Sequence, residues 1–325
     1  MSDFFTPEEP FCEEITYRDG FAGFLCAVDE ALRRSPSSGR LPLIRAEENT
    51  AGLFDELHAI DTDLGRAGEF WARLRRVSTP AAKTCFAAFC SDRKDKERAV
   101  SRVIARILDE GHQALEDLGD ADVADLLASS RRCLGEAHRF CGLVRFGELK
   151  DLGWYAPIRP DCDILPFIGD HFSNRFSGMP FIIHDSGRAK AILHEPGKPW
   201  KIALGFTRRE ASGQRLSLPL TEEELHVRED LRRYFNSIAI VPRRNLRLQA
   251  GHMPKKHWEY LPEMEDSQDH GLVLRDSLGS GSSLSGLFLQ RFGNARQEGD
   301  SNQQIDAGGY QKNPLPSQGI PDQAR

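Results

Sequence analysis

Long apolar runs are missing from this 325-residue chain. No stretch reaches about 18 consecutive apolar residues, so the sequence predicts no membrane-spanning helix. The first ten residues are acidic and lack a basic start followed by an apolar stretch, which argues against a secretory signal. The seven cysteines are odd in number and form no tight pairs. This usage favours reduced thiols and a cytoplasmic location over a disulfide framework.

The short motifs of several common enzyme classes are also missing. The chain contains no GxxxxGKS/T, GxGxxG, GxSxG, HExxH or CxxxCxxC sequence. These absences argue against a P-loop ATPase, a dinucleotide-dependent dehydrogenase, an α/β-hydrolase and a zinc protease of the HExxH type. They also indicate that this chain does not carry the iron–sulfur cluster of a radical-SAM enzyme. The sequence does not identify a cofactor.

The spacing of apolar residues predicts an α+β fold. Helical spacing recurs through the first 130 residues, with helices expected over 21–34, 65–77, 81–90, 96–111 and 120–140. Short strands are expected over 143–146, 154–158, 180–185, 189–194 and 201–205, with a helix over 163–176. These elements predict a small antiparallel sheet with packed helices. A further helix over 221–235 is expected to begin at Thr221, with Glu224 completing a capping box.

Composition divides the chain into three regions. Residues 1–130 form a helical N-terminal region with net charge −9, and residues 131–265 form an α+β domain with net charge +5. Residues 266–325, with net charge −2, are rich in Gly, Ser, Gln and Asn and are predicted to be a disordered C-terminal tail. The positive middle region is therefore the part of the chain suited to a nucleic-acid partner.

The middle region is dense in groups that contact phosphate or ligate metal. They are Glu136, His138, Arg139, Arg145, His171, Arg175, His184, Asp185 and Arg188. We expect seven of them to converge in one cleft: Glu136, Arg139, Arg145, His171, Arg175, His184 and Arg188. His171, His184 and Asp185 are the catalytic acid–base candidates. Zn or Fe ligation by the histidines with Glu136 or Asp185 is an alternative, although no local metal signature supports it. An Arg–carboxylate network that stabilises a small sheet is equally compatible with the pattern.

Residues 231–258 form a basic segment with seven Lys or Arg and no Asp or Glu. Cations neutralise phosphates and aromatic rings stack on bases, so the segment predicts nucleic-acid binding. The binding candidates are Arg243, Arg244, Arg247, Lys255, Lys256 and Trp258. A solvated charged face, or pairing of Arg243 and Arg244 with Glu136 or Asp185 inside the protein, is the alternative.

Several segments in order along the chain resemble a bacterial family of uncharacterised proteins associated with DNA repair and DNA metabolism. They read YRDGFAGFLCAV at 17–28, GEAHRFCGLVRFGEL at 135–149, DCDILPFIGDHFSNRF at 161–176, PFIIHDSGR at 180–188 and YFNSIAIVPRRNLRLQAGHMPKKHW at 234–258. The matched polar positions include Asn245. Cys141 departs from the longer residue that is usual in the family, and Leu231 departs from a usual tryptophan.

The resemblance implies a DNA-related role by association. Genes of this family commonly lie beside a gene for a radical-SAM protein, and some members are fused to a uracil-DNA-glycosylase-like domain. The resemblance therefore implies DNA and a radical-SAM protein as partners, without assigning a catalytic residue. Three functions stay open: a DNA-repair or DNA-metabolism factor that binds or acts on DNA, a metal- or acid–base-dependent hydrolase of nucleic acid, and a non-enzymatic adaptor for an acidic protein.

Overall fold

Three short strands near the N-terminus form a parallel sheet in the order β2-β1-β3. They are β1 (Glu14–Tyr17), β2 (Leu43–Ala46) and β3 (His58–Ile60). The computed structural model describes residues 14–35, 41–46, 58–150, 153–206, 220–240 and 245–264. Ile15 of β1 lies between Ile44 and His58 of the two neighbouring strands. The sequence analysis missed this sheet because strands of three or four residues are too short to show a reliable alternation.

Helix α1 (Gly20–Arg34) follows β1 through a tight Asp-Gly turn. Asp19 and Gly20 have φ angles of 60° and 65°, in the left-handed region that glycine adopts without steric cost. A Cβ on Gly23 would lie 1.7 Å from the carbonyl oxygen of Arg18, so only glycine allows this approach. The predicted turn and the predicted helix are both confirmed.

Four further helices form the layer that packs against α1. They are α2 (Leu64–Val77), α3 (Thr79–Phe89), α4 (Lys96–Glu110) and α5 (Ala121–Leu143), with a 3-10 helix at Gly111–Leu115. The side chains of Asp63, Ser78 and Asp120 accept backbone N–H bonds and so cap α2, α3 and α5. The predicted helices are confirmed to within about three residues at each end, and the region predicted as one or two helices is the single helix α5.

A five-stranded mixed sheet follows in the order β4-β5-β6-β7-β8. Its strands are β4 (Gly147–Leu149), β5 (Gly153–Ile158), β6 (Phe181–Asp185), β7 (Lys190–His194) and β8 (Lys201–Ala203). The pair β5–β6 is parallel, and the other pairs are antiparallel. This departs from the expected antiparallel sheet because helix α6 (Leu165–Arg175) makes the crossover that a parallel pair requires.

One cluster of buried apolar side chains joins the helical layer to the second sheet. It runs from Ile15 in β1 through Ile104 in α4 to Ile183 in β6. The predicted boundary after residue 130 falls inside α5, where Leu126 and Phe140 on its two sides both belong to this cluster. The second sheet therefore rests on the same core as the helices.

The C-terminal described elements are all helical. They are α7 (Glu222–Ile238), α8 (Leu246–His252) and two 3-10 helices at Lys255–Tyr260 and Pro262–Met264. Thr221 caps α7 by accepting the backbone N–H of Glu224 at 3.2 Å, which confirms the predicted start of this helix. Residue Met264 is the last one described, so the predicted tail at 266–325 lies outside the described residues.

The α+β class is confirmed, and one strand prediction is wrong. Residues 143–146 are not a strand, because α5 continues to Leu143 and pairing begins only at Gly147. The six cysteines in the described ranges are free thiols. Across those same ranges, no helix combines the length and apolar character that crossing a bilayer would require.

Candidate nucleic-acid interface

The loop that joins β5 to α6, residues 159–163, is held in place by a buried carboxylate. Glu136 of α5 accepts the backbone N–H of Asp161 at 2.9 Å and that of Cys162 at 2.7 Å. The N–H of Asp163 donates to the carbonyl oxygen of Cys90 at 2.8 Å. Glu136 is buried, so its negative charge depends on these N–H groups for stabilisation. The loop therefore has a defined backbone before any ligand is present.

The opposite side of the same loop is held by Arg188, in the turn between β6 and β7. Its guanidinium donates to the carbonyl oxygen of Pro160 at 3.1 Å and to the carbonyl oxygen of Asp161. It also donates to Asp185 Oδ2 at 3.0 Å, while Asp185 Oδ1 accepts the N–H groups of Gly187 and Arg188. Burial raises the pKa of Asp185, and the charge of Arg188 opposes that rise.

Asp161 lies at the exposed end of the loop, between two basic side chains. Its carboxylate pairs with Arg132 at 3.7 Å and with Lys256. Arg132 also donates to both carboxylate oxygens of Asp92, and this hydrogen bonding lowers the pKa of Asp92. The ion pairs connect α5, the 159–163 loop and the C-terminal 3-10 helix.

Two surface clefts meet at Asp161. The first has a volume of about 870 Å³ and lies between residues 43–45, residues 91–98, Asp161 and Arg188. Its basic side chains are Arg45, Arg93, Lys94, Lys96, Arg98 and Arg188, and its acidic ones are Asp92, Asp95, Glu97 and Asp161. The second has a volume of about 500 Å³ and is lined by Arg159, Pro160, Asp161, Lys255, Lys256 and Glu259. We call the basic residues of both clefts the cationic surface.

The structure brings together only part of the predicted site. The predicted residues at or beneath the two clefts are Glu136, Asp185, Arg188, Lys255 and Lys256. Glu136 and Asp185 lie beneath the clefts, where their oxygens hold the loop and Arg188. Trp258, also predicted, is half-buried; its indole N–H donates to the carbonyl oxygen of Met253 and Lys255 Nζ lies 5.9 Å from its ring centre.

The expected convergence of His171 with His184 is wrong. His184 alternates with Ile183 along β6 and points to the sheet face that carries Tyr155 and Ile182. Helix α6 packs Ile168 and Phe172 on the other face, and leaves His171 exposed. Among the described residues, neither histidine lines either cleft.

The buried catalytic candidates are both fully engaged. His184 is 2 % exposed; its Nδ1 shares a hydrogen bond with the Tyr155 hydroxyl at 2.7 Å, and its Nε2 donates to the carbonyl oxygen of Phe206 at 3.1 Å. A carbonyl accepts only, so Nε2 carries a proton. Asp185 is fully buried, with both oxygens hydrogen-bonded. The geometry favours structural roles for these two residues.

The remaining predicted residues are dispersed. Arg145 pairs with Glu263 at 2.7 Å, and Arg175 lies 5.7 Å from the ring centre of Phe176. His138, Arg139 and Arg247 are exposed, while Asn245 caps α8 by accepting the N–H of Leu248 at 3.0 Å. Arg243 and Arg244 lie outside the described residues. Within the described ranges, no group of three or more His, Cys, Asp or Glu is arranged to hold a metal ion.

Sequence reasoning missed the basic residues that α4 and the 159–163 loop contribute. Residues 91–98 read SDRKDKER, and such alternating signs are typical of a solvated surface. Arg159 lies outside the basic segment 231–258 and belongs to no recognised motif. One signal was available: Arg93, Lys94, Lys96 and Arg98 are four cations within six residues.

Comparison with known proteins finds one family. No curated protein and no solved structure matches this chain. A family model described as a domain of unknown function, DUF4130, matches residues 94–263. This match spans just over half of the chain and includes α5, the 159–163 loop, Arg188 and the C-terminal 3-10 helices. The chain belongs to the DUF4130 family.

Proposed function

We propose that this protein binds the phosphate backbone of DNA with the cationic surface, which consists of the basic residues of the two clefts that meet at Asp161. One observation carries the proposal: the 159–163 loop, which is held by hydrogen bonds on both sides, joins the two clefts. Nine basic and five acidic side chains line these clefts. Phosphate contacts supply most of the affinity of sequence-independent DNA binding. A surface of this kind would position a DNA strand without reading its sequence.

Some charged side chains along the clefts have hydrogen-bonding or ion-pair partners in the described part of the protein, and others do not. The Glu97 carboxylate accepts the hydroxyl of Tyr17 at 3.1 Å, and Asp92 is neutralised by Arg132. Five of the nine basic side chains also pair with carboxylates of the protein; they are Arg45, Arg93, Arg98, Arg188 and Lys256. The exposed side chains of Lys94 and Arg159 make no ion pair to a described residue. The acidic groups are therefore partly compensated from within the protein, and these two cations remain available for phosphate oxygens.

The surface is also preorganised. Arg188 is oriented by buried Asp185 and by two carbonyl oxygens of the 159–163 loop, so binding would cost little side-chain entropy there. Trp258 is half-buried and lies beside Lys255, which lines the second cleft. An aromatic ring next to a cation is the arrangement on which an unpaired base can stack, which favours single-stranded DNA at this end.

The resemblance to proteins associated with DNA repair extends this proposal. We infer that the DNA-binding surface serves DNA repair or DNA metabolism, in concert with a radical-SAM partner that would carry out the chemistry. The hydrolase alternative loses support, because the candidate acid–base groups His184 and Asp185 are buried and engaged.

The proposal is tested by titrating fluorescent single- and double-stranded DNA against the full chain at several salt concentrations. The test variant combines Lys94→Gln, Arg159→Gln and Lys255→Gln, all exposed residues of the cationic surface. If each residue contacts one phosphate, the log–log salt slope on double-stranded DNA should become shallower by about 2 to 3. Affinity should fall on both DNA forms.

A matched control removes the same charge elsewhere. The control variant combines Arg73→Gln, Arg76→Gln and Lys198→Gln, which are exposed and line neither cleft within the described structure. Melting temperatures should be unchanged for both variants. Equal salt slopes for the two variants, or no measurable binding by the unaltered chain, would contradict the proposal.

A further inference from the structure

Helix α7 carries an apolar stripe that nothing in the described structure covers. Val227, Leu231, Tyr234, Phe235 and Ile238 recur at spacings of four, three, one and three residues, and so lie within about 100° of the helix circumference. Their side chains are exposed: Tyr234 by 62 %, Val227 by 60 % and Ile238 by 54 %. The opposite face carries Glu229 and Arg233, which pair with each other in water.

The N-terminal turn of α7 is anchored to the body. The Thr221 backbone N–H donates to the Glu148 carbonyl oxygen at 3.0 Å, and the Thr221 hydroxyl donates to Glu148 Oε2 at 3.2 Å. Glu224 is buried and pairs with Arg228 one turn further along the helix at 2.7 Å. The exposed stripe belongs to the remaining three turns. A stripe of this size on an otherwise charged helix is typical of an interaction surface.

We propose that the α7 stripe is the docking site for residues 284–292 of the same chain. This segment reads LSGLFLQRF, and its apolar residues Leu284, Leu287, Phe288 and Phe292 follow the spacing of one helix face. It is the most apolar stretch between residue 265 and residue 325, and it carries only one charge, Arg291. An apolar face and an apolar segment are complementary by the hydrophobic effect.

The last described residues lie against α7, and the segment that follows them would reach the stripe from there. The 3-10 helix Pro262–Met264 packs against α7, and Arg145 fixes it through Glu263 at 2.7 Å. Nineteen residues, 265–283, lie between Met264 and Leu284, and an extended chain over these 20 residue steps spans roughly 65 Å. Helix α7 is only about 25 Å long. The tether therefore reaches every point of the stripe.

A tethered occupant also fits the small size of the stripe. A stable interface between separate proteins uses about 20 to 30 residues on each side, whereas the stripe has five. A short flexible tether supplies an effective concentration on the order of millimolar, so weak contacts suffice when the occupant belongs to the same chain. This comparison favours residues 284–292 over a second copy of the protein.

The test places a photoreactive benzoyl-phenylalanine at position 234 of the full chain, followed by irradiation and peptide mapping. We expect cross-links from position 234 to residues 284–292 within one chain, with a yield that does not change on dilution. A control probe at Asn236, exposed and about 160° around the helix from Tyr234, should not give them. The paired change Leu287→Asp and Phe288→Asp should reduce the yield roughly tenfold or more.

A control pair of substitutions in the C-terminal segment and a measurement on the chain without the photoreactive probe complete the design. Leu272→Asp with Leu274→Asp alters the other apolar run after Met264 and should leave the cross-link yield unchanged. In the chain without a probe, amides in the C-terminal half of α7 should exchange faster when Leu287 and Phe288 are changed to Asp. Cross-links between two chains, cross-links only to other segments, or unaltered exchange would each overturn the proposal.

Discussion

Helices α4 and α7 look alike in sequence and differ in their surroundings. Both are amphipathic, both are highly charged, and both present a stripe of Val, Leu or Ile at helical spacing. In α4 the stripe residues Val103, Ile104 and Ile107 are fully buried, whereas in α7 Val227 and Ile238 are more than half exposed. Periodicity thus predicts that a face is apolar, but whether the face is covered depends on contacts that are distant in sequence.

The largest expected difference between the two helices is in stability. Ile104→Ala should lower the free energy of unfolding by about 2 to 5 kcal/mol, because it leaves a cavity in a fully packed core. Ile238→Ala should lower it by less than about 1 kcal/mol, because the described structure leaves that side chain 54 % exposed and the proposed contact with residues 284–292 is weak. Urea unfolding of the two variants measures both values. Similar losses would show that α7 is covered as fully as α4.

The next prediction compares two glutamates: Glu136 lies beneath the clefts, and Glu259 lines the second one. Glu136→Gln should cost about 1 to 3 kcal/mol, because the amide keeps one acceptor and sets its NH₂ group against a backbone N–H of the 159–163 loop. Glu259→Gln, at an exposed position in the second cleft, should stay within about 0.5 kcal/mol of the unaltered chain. A negligible cost at Glu136, again by urea unfolding, would mean that the loop is not held as described.

A smaller effect is expected from two aspartates whose pKa values are shifted in opposite directions. Burial raises the pKa of Asp185 above 3.8, so its contribution to stability is present at low pH and is lost as pH rises through the raised value. Hydrogen bonds from Arg132 lower the pKa of Asp92, so its contribution is present above 3.8 and is lost as pH falls through the lowered value.

The measurement is the dependence of the unfolding free energy on pH, between about pH 3 and 7, for Asp185→Asn and Asp92→Asn. Relative to the unaltered chain, Asp185→Asn should remove a decline with rising pH, and Asp92→Asn should remove a rise. Any constant offset from lost hydrogen bonds leaves these slopes intact. Slopes of the same sign for both variants would contradict the assigned environments.

Local patterns predicted much of the fold. Helices α1 to α6, the Asp19–Gly20 turn and the Thr221 cap each depend on residues within a few positions of one another. The parallel sheet β2-β1-β3 escaped prediction, because its strands are three or four residues long and pair across long separations. The α+β class was therefore predictable, while the direction of strand pairing was not.

The candidate site was less predictable for the same physical reason. Glu136 and Arg188 were singled out as polar residues beside apolar runs, but their partners are the backbone of the 159–163 loop, 25 or more positions away. Asp185 acts on that loop through Arg188, to which it is paired. His184 was chosen as a chemical group, yet its neighbours Tyr155 and Phe206 satisfy both ring nitrogens. Residue type indicates what a side chain can do, and only the packed neighbours determine whether it is free to act.

The second cleft is formed by residues that lie far apart in the sequence, and this affects when it can form during synthesis of the chain. Its two sides, residues 159–161 and 255–259, are joined by Lys256 and Asp161 across 95 positions of sequence. A nascent chain on the ribosome cannot complete this cleft until residue 259 has emerged, although α1 to α5 have been available to fold long before. The second cleft, with its basic residues, is therefore assembled late, when most of the acidic N-terminal region is already folded.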